Sequence, residues 1–176
     1  MTSATRLAPL TENPEVMAAL SDILIEVVAD GASVSFIHPL AREAATEFWK
    51  DSMMRAANGT RVVLGAWEAD DLVGTVTLDL ATPPNQPHRG EIAKLMTRVR
   101  SRGRGIARSL MLEAERIAVE RGRTLLVLDT AEEGGAAGLY EGLGYQRVGI
   151  IPGYALKPHG GLTGTIIYFK SIGRAG

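Results

Sequence analysis

From Val16 onward, apolar side chains recur every three or four residues: Val16, Leu20, Ile23, Leu24, Val27 and Val28. That period gathers them on one face of a helix. Asn13-Pro14 supplies an N-cap followed by proline at the first helical position, and Gly31 supplies the stop. Arg6 to Leu10, just ahead, is expected to form a short strand. After a loop from Ala32 to His38, a second helix is expected to run from Pro39 to about Ala57. It would carry Leu40, Ala44, Phe48 and Trp49 on one face, with Asn58-Gly59 as its stop.

The period then shifts from helix to strand. Val62 to Trp67 reads as a strand, Ala69-Asp70-Asp71 as a turn, and Leu72 to Leu80 as the returning strand. In the return, Val73, Thr75, Thr77 and Asp79 alternate against Val76 and Leu78. Three prolines between Thr82 and Gly90 mark a loop, and Glu91 to Val99 is the next strand. Gly105 to Arg121 is the clearest helix, with Ile106, Leu110, Ala114, Ile117 and Ala118 as its stripe and Gly122 after it. Leu125 to Leu128 forms a short buried strand ending at Asp129, and Ala136 to Leu143 a helix ending at Gly144. Gln146 to Ile151 and Thr165 to Lys170 are the last two strands.

This order predicts a mixed α/β fold. The hairpins make most of the sheet antiparallel, while the strand-helix-strand unit from Glu91 to Asp129 requires a parallel pair with a right-handed crossover. No repeat, linker or low-complexity tract interrupts the 176 residues, so a single domain, 1–176, is expected.

Charge and composition narrow the function. With 19 Lys+Arg against 20 Asp+Glu, the net charge of −1 gives no overall affinity for nucleic acid or an anionic membrane. The absence of cysteine excludes disulfides, thiolate metal sites and a cysteine nucleophile. His38, His88 and His159 are dispersed without metal-ligand spacing, so no metal is expected. Met1 to Leu10 lacks the features of a signal peptide, and no apolar run is long enough to span a bilayer. A cytoplasmic protein is the expectation.

One segment has the makings of an anion cradle: Arg102-Gly103-Arg104-Gly105-Ile106-Ala107, between a strand and the longest helix pattern. Glycines allow close backbone approach, and the helix start offers unpaired N–H groups at a positive dipole end, where a pyrophosphate fits. Arg98, Arg100, Arg102, Arg104 and Arg108 surround it and are expected to add positive potential. The turn is not a P-loop, because no Gly-Lys-Ser/Thr follows at the required spacing. Nor is it a dinucleotide fingerprint, because Arg108 stands where the last glycine should be.

The six-residue turn resembles the Arg/Gln-x-x-Gly-x-Gly/Ala motif of the GNAT superfamily of acyl-CoA N-acyltransferases. Leu139-Tyr140-Glu141-Gly142-Leu143-Gly144-Tyr145, one strand and one helix later, resembles a second family segment, and the element order fits across essentially the whole chain. The resemblance implies a GNAT-like sheet, mostly antiparallel, whose central parallel strands splay around acetyl-coenzyme A and are flanked by helices. It implies that Leu95, Met96 and Thr97 face the pantetheine arm and that the amides of Arg102, Gly103, Arg104, Gly105, Ile106 and Ala107 hold the pyrophosphate. It aligns Tyr140 with the family tyrosine that protonates the departing thiolate. Two positions depart from the pattern: Val99 replaces the usual proline before the turn, and Glu133 replaces an asparagine that binds the coenzyme. A narrower likeness, to the tabtoxin-resistance type of acetyltransferase, rests on five segments. These are Asp30-Gly31-Ala32-Ser33-Val34, Lys94-Leu95-Met96, Leu128-Asp129-Thr130, Pro152-Gly153-Tyr154 and Tyr168-Phe169-Lys170. The acceptor in that type is a small amino-acid-like β-lactam toxin.

An alkylamine must lose a proton before it attacks, and a carboxylate is the usual solution. Glu91 begins the strand that leads to the turn. Asp129 ends its parallel neighbour, at the carboxyl edge where α/β sheets place ligands. Either is a candidate base. With no Gly-x-Ser-x-Gly nucleophile, direct transfer from acetyl-CoA to a small-molecule amine is the simplest scheme. Ser33 to Phe36 and Pro152 to Leu162 are expected to border the acceptor pocket. A narrow pocket would favour a small acceptor and an open groove a peptide or protein. A non-catalytic acyl-CoA-binding module is the third alternative, and the assembly is left open, a homodimer included.

Overall fold

The computed structural model describes residues 5–134 and 136–173. The expected domain span, 1–176, and the Met1 to Leu10 stretch, read as lacking signal-peptide features, therefore reach beyond the described residues. Seven strands form one sheet: β1 (Arg6–Pro9), β2 (Arg61–Glu68), β3 (Asp71–Asp79), β4 (Arg89–Thr97), β5 (Leu125–Ala131), β6 (Gln146–Leu156) and β7 (Leu162–Ser171). Their order is β1-β2-β3-β4-β5-β7-β6. Every neighbouring pair is antiparallel except β4–β5. The helices are α1 (Pro14–Ala29), α2 (Arg42–Ala57), α3 (Ile106–Glu120) and α4 (Ala137–Gly142). The fold is the mixed α/β, GNAT-like one expected.

The sheet separates two apolar cores. On one face, α1 and α2 pack through Leu20, Leu24, Trp49 and Met53 against Val63, Leu72 and Met96. On the other, Leu110, Met111 and Ala114 of α3, Tyr140 of α4 and Leu143 just past it pack against Val76, Leu78, Ile92 and Leu126. The six apolar positions read for α1 are all buried, and the Asn13 carboxamide oxygen accepts from the Val16 N–H at 2.9 Å. Cap and apolar stripe together fix where this helix begins and which face turns inward.

Several boundaries differ from the sequence expectation for physical reasons. The α2 helix starts at Arg42, leaving Leu40 outside it, and its buried face is Ala45, Trp49, Ser52 and Met53; Ala44 is exposed. The alternating residues of β3 are buried on both faces, because helices cover both sides. Its inward threonines are satisfied through backbone carbonyls: Thr75 donates to Leu64 O at 2.8 Å and Thr77 to Ala93 O at 2.9 Å. The β4 strand ends at Thr97, and Val99–Ser101 is a 3-10 turn. The β5 strand runs past Asp129 to Ala131, because β7 continues to pair with it through Thr165.

Candidate active site

Strands β4 and β5 are in register only at Arg89–Leu125, Gly90–Leu126 and Glu91–Val127. Beyond that point they part. The far half of β4 still pairs with β3, and the far half of β5 with β7. Each therefore presents an open backbone edge to the gap, and an edge of unpaired N–H and C=O groups binds an extended polar chain. The gap widens into a cleft of about 550 Å³. Ala93 to Thr97 line one wall and Asp129, Thr130 and Ala131 the other, with Tyr140 and Leu139 of α4 and Tyr154 of β6 also facing it.

A second hollow, about 220 Å³, lies at the glycine turn and shares Thr97, Arg102, Ala107 and Leu139 with the cleft. Gly103 and Gly105 have φ of +74° and +80°, backbone that any side chain would strain, and a Cβ at either would meet no atom within 4 Å. Left-handed Gly105 opens α3, and the first backbone bond into the helix runs from Ser109 N–H to Gly105 O at 3.0 Å. The amides of Gly103 to Arg108 thus have no acceptor among the described residues. Six such N–H groups around an open hollow at a helix start have the geometry to receive an anion.

The arginine collar contributes less than its sequence density suggested. Arg98, itself mostly out of solvent, pairs with Glu26 at 3.0 Å. Arg104 pairs with Glu68 at 2.7 Å, Arg100 with Asp71, and Arg102 with Asp30. Of the five, Arg108 has no ion-pair partner among the described residues and reaches the Gly142 carbonyl at 3.4 Å. The cradle is chiefly backbone. The paired arginines fasten the turn to α1 and to the β2–β3 hairpin.

Tyr140 and Asp129 meet in the cleft. The Tyr140 ring is 6% exposed and packs edge-on against Tyr145 at 5.9 Å. Its hydroxyl makes no hydrogen bond among the described residues, and its pKa is pushed up to about 12, by burial first and by the Asp129 carboxylate second. Asp129 is exposed to the cleft and accepts from the Thr165 hydroxyl at 2.7 Å. Glu91 stands elsewhere: it lies within the paired part of β4, outside the cleft lining, and joins Arg89 at 3.1 Å. Glu133 pairs with Lys157 at 3.0 Å.

Two features were not singled out from the sequence. Thr165 orients Asp129, which required knowing the β5–β7 register. Lys94 also lines the cleft, half-buried; the sequence named it only within the Lys94-Leu95-Met96 likeness and gave it no role. Outside the cleft lining, two loops hold one another. His38 N–H donates to Pro158 O at 3.0 Å, the His159 ring meets Ala29 O at 2.9 Å, and the two imidazoles lie 4.6 Å apart. Among the described residues no group of acidic or histidine side chains could hold a metal, and no helix is long and apolar enough to cross a membrane.

The Acetyltransferase (GNAT) family matches residues 26–145, from the end of α1 through the Tyr140 segment, and the chain belongs to that family. N-acetyltransferase 8B of Rattus norvegicus is 34% identical over 90 residues, which is 48% of this chain and 40% of that protein. An N-acetyltransferase from Staphylococcus aureus Mu50 superposes with a TM-score of 0.81 at 16% identity, over 96% of this chain and 99% of its own. A Salmonella typhimurium protein, solved with its cofactor acetyl-CoA, has a TM-score of 0.80 at 16% identity, over 99% of this chain and 98% of its own.

Proposed function

We propose that residues 1–176 act as one catalytic unit that moves the acetyl group of acetyl-CoA directly to the amine of a small molecule. The observation that carries this is the parting of β4 and β5 between a backbone anion cradle and a tyrosine–carboxylate pair. Acetyl-CoA fits that arrangement: the orphaned amides suit a pyrophosphate, and the open strand edges suit an amide-bearing arm. When bound, it supplies an activated thioester.

The protein's own residues then have distinct tasks. Gly103 and Gly105 keep the cradle free of side chains, so that the amides from Gly103 to Ala107 reach the phosphates; the Arg102 N–H, expected to join them, is instead given to the Val99 carbonyl at 3.3 Å. Leu95, Met96 and Thr97 offer backbone to the pantetheine arm. Asp129 takes the proton that the acceptor ammonium must lose, held toward the cleft by Thr165. Tyr140 gives its proton to the leaving sulfur; with a pKa near 12 it stays protonated throughout the working range. Glu91, tied to Arg89 outside the cleft, would need a relay through water to take part.

The tabtoxin-resistance-like segments include Lys94, Asp129 and Tyr154, all of which line the cleft, and this favours an amino-acid-like acceptor. The test is release of free CoA from acetyl-CoA across a panel of amino acids, small amines and peptides. Turnover of small amines but not peptides is expected. Peptide-only turnover would favour protein acetylation, and tight CoA binding without any turnover would leave a binding module.

A further inference from the structure

Three described non-glycine residues have positive φ: Ser35 at +74°, Ala69 at +52° and Lys94 at +52°. Ala69 sits in the β2–β3 hairpin turn, where such backbone is ordinary. The other two lie 59 residues apart in sequence, yet their side chains touch, with Lys94 Nζ donating to Ser35 Oγ at 3.1 Å. Left-handed backbone at non-glycine residues persists only where the surroundings impose it, and it concentrates at functional sites. At Lys94 the cause is a bulge. The β3–β4 register steps from Thr75–Met96 to Thr77–Ala93, which sets one extra residue into β4. Both Lys94 and Ser35 line the cleft.

Lys94 is also poorly satisfied. Among the described residues it has no ion-pair partner; besides Ser35 it meets the face of Phe48 at 5.4 Å. An ammonium group has three donors, and the Ser35 hydroxyl, which accepts from one of them, keeps its own proton to donate. Together they present N–H and O–H donors to the cleft. Asp129 faces them from the opposite wall, so the acceptor end has a cation on β4 and an anion on β5.

We infer that Lys94 and Ser35 form a subsite for a carboxylate on the acceptor, so that the preferred acceptor is an amine that also carries an acid, with its nitrogen toward Asp129 and its carboxylate toward Lys94. The inference rests on the small-molecule reading above. It is a separate site from the phosphate cradle, because Lys94 lies three residues before Thr97, where the glycine-turn hollow begins. The electrostatics agree. Burial lowers the Lys94 pKa, the Arg61 charge lowers it further, and Asp129 only partly opposes them, so an arriving anion supplies what the ammonium lacks.

The test uses the full chain, acetyl-CoA and matched pairs of acceptors: the standard α-amino acids and the amines that remain when their carboxylates are removed. Wild type is expected to prefer the amino acid of a pair. Lys94→Met should cut that preference roughly 10- to 100-fold, the scale of a charge-assisted hydrogen bond, mainly through KM. Lys94→Arg should recover part of it, and Ser35→Ala should weaken it less than Lys94→Met. Equal losses for both members of a pair, no recovery in Lys94→Arg, or a wild-type preference for the decarboxylated amine would each overturn the inference. Lys94→Gln provides a second neutral variant if Lys94→Met unfolds early by circular dichroism. Should no acceptor be turned over, the transferase reading fails, and calorimetry on the CoA-loaded protein decides this one. An amino acid bound by wild type and released in Lys94→Met upholds the subsite, and no amino-acid binding overturns it.

Discussion

Thr165 holds Asp129 across the β5–β7 ladder, its hydroxyl 2.7 Å from the Asp129 carboxylate. In register, Thr165 faces Ala131 and Asp129 faces Ile167, so the contact is a diagonal one between side chains two residues out of step. It aims a charged oxygen at the cleft without using both of that carboxylate's oxygens.

If Asp129 is the base, Asp129→Asn should lower kcat/KM at neutral pH by roughly 100-fold or more, within the usual contribution of a general base. Acetyl-CoA affinity should change little. The deficit should shrink as pH rises toward the acceptor's own pKa, because the amine then loses its proton without help. Thr165→Val, which leaves the carboxylate but frees it, should cost roughly 3- to 10-fold by the same reasoning. Steady-state kinetics from pH 6 to pH 10 checks both, and a pH-independent deficit in Asp129→Asn would remove its role as base.

Replacing Tyr140 with Phe keeps the ring and its contacts with Tyr145 and Tyr168. Turnover should fall roughly 10- to 1000-fold if the hydroxyl protonates the leaving thiolate. The same group affects stability at high pH. The Tyr140 pKa is about 12 in the folded chain against an unfolded tyrosine near 10. The unfolded state therefore gives up its proton first. The stabilisation is whole below about pH 10 and is lost as pH rises toward about 12, a swing of roughly 2–3 kcal/mol. Urea unfolding at pH 9 and pH 11.5 should show a smaller decline for Tyr140→Phe than for wild type.

The fold was legible where local signals agreed. Asn13-Pro14, the Val16 to Val28 stripe and the Gly31 stop specify α1 without reference to anything distant. The glycine turn before α3, with its left-handed Gly103 and Gly105, was legible for the same reason. What the sequence hid was pairwise. Asp30, Glu26, Glu68 and Asp71 neutralise four of the turn's arginines from 29 to 72 residues away, and only the folded chain brings them near. Glu91 and Asp129 sit on neighbouring strands and looked equivalent, but the strands separate between them. Glu91 lies in the last paired register, while Asp129 lies in the parted region. Lys94 was concealed by the bulge, since an even strand register gives no hint of a side chain redirected by one extra residue.

The glycine turn permits a test that separates strain from obstruction. Alanine at Gly103 or Gly105 meets no neighbour but must accept a positive φ, at a cost of about 1 kcal/mol. Coenzyme binding should survive it with a modest loss. Glutamate at either position carries the same strain and adds a carboxylate where the pyrophosphate is to bind, so calorimetric CoA binding should vanish while the circular dichroism spectrum is kept. Glutamate variants that bind CoA like their alanine counterparts would mean that the phosphates lie elsewhere.

The segment bearing Tyr140 is anchored by a half-buried ion pair, and this gives a stability prediction with a functional consequence. Lys170 Nζ donates to Glu115 Oε2 at 2.6 Å and to the Leu143 carbonyl, just past α4, at 2.7 Å. It also lies 5.5 Å from the Tyr145 ring centroid. The two side chains are 22% and 12% exposed, so neither is well solvated. Glu115→Ala leaves the ammonium with a carbonyl and a ring face but no counter-charge. A loss of about 2–4 kcal/mol is expected, toward the lower end for a broken buried pair because some solvent reaches Lys170. Removing both charges should cost less than removing one, so the double variant Glu115→Leu with Lys170→Met should recover part of the loss in urea unfolding. Its recovery should be incomplete, because the Leu143 carbonyl remains unpaired at the end of α4. Since that end fixes Tyr140, turnover in the double variant should stay below wild type even where stability has returned. A double variant less stable than Glu115→Ala would mean that Lys170 acts chiefly as the cap of α4, with the ion pair secondary.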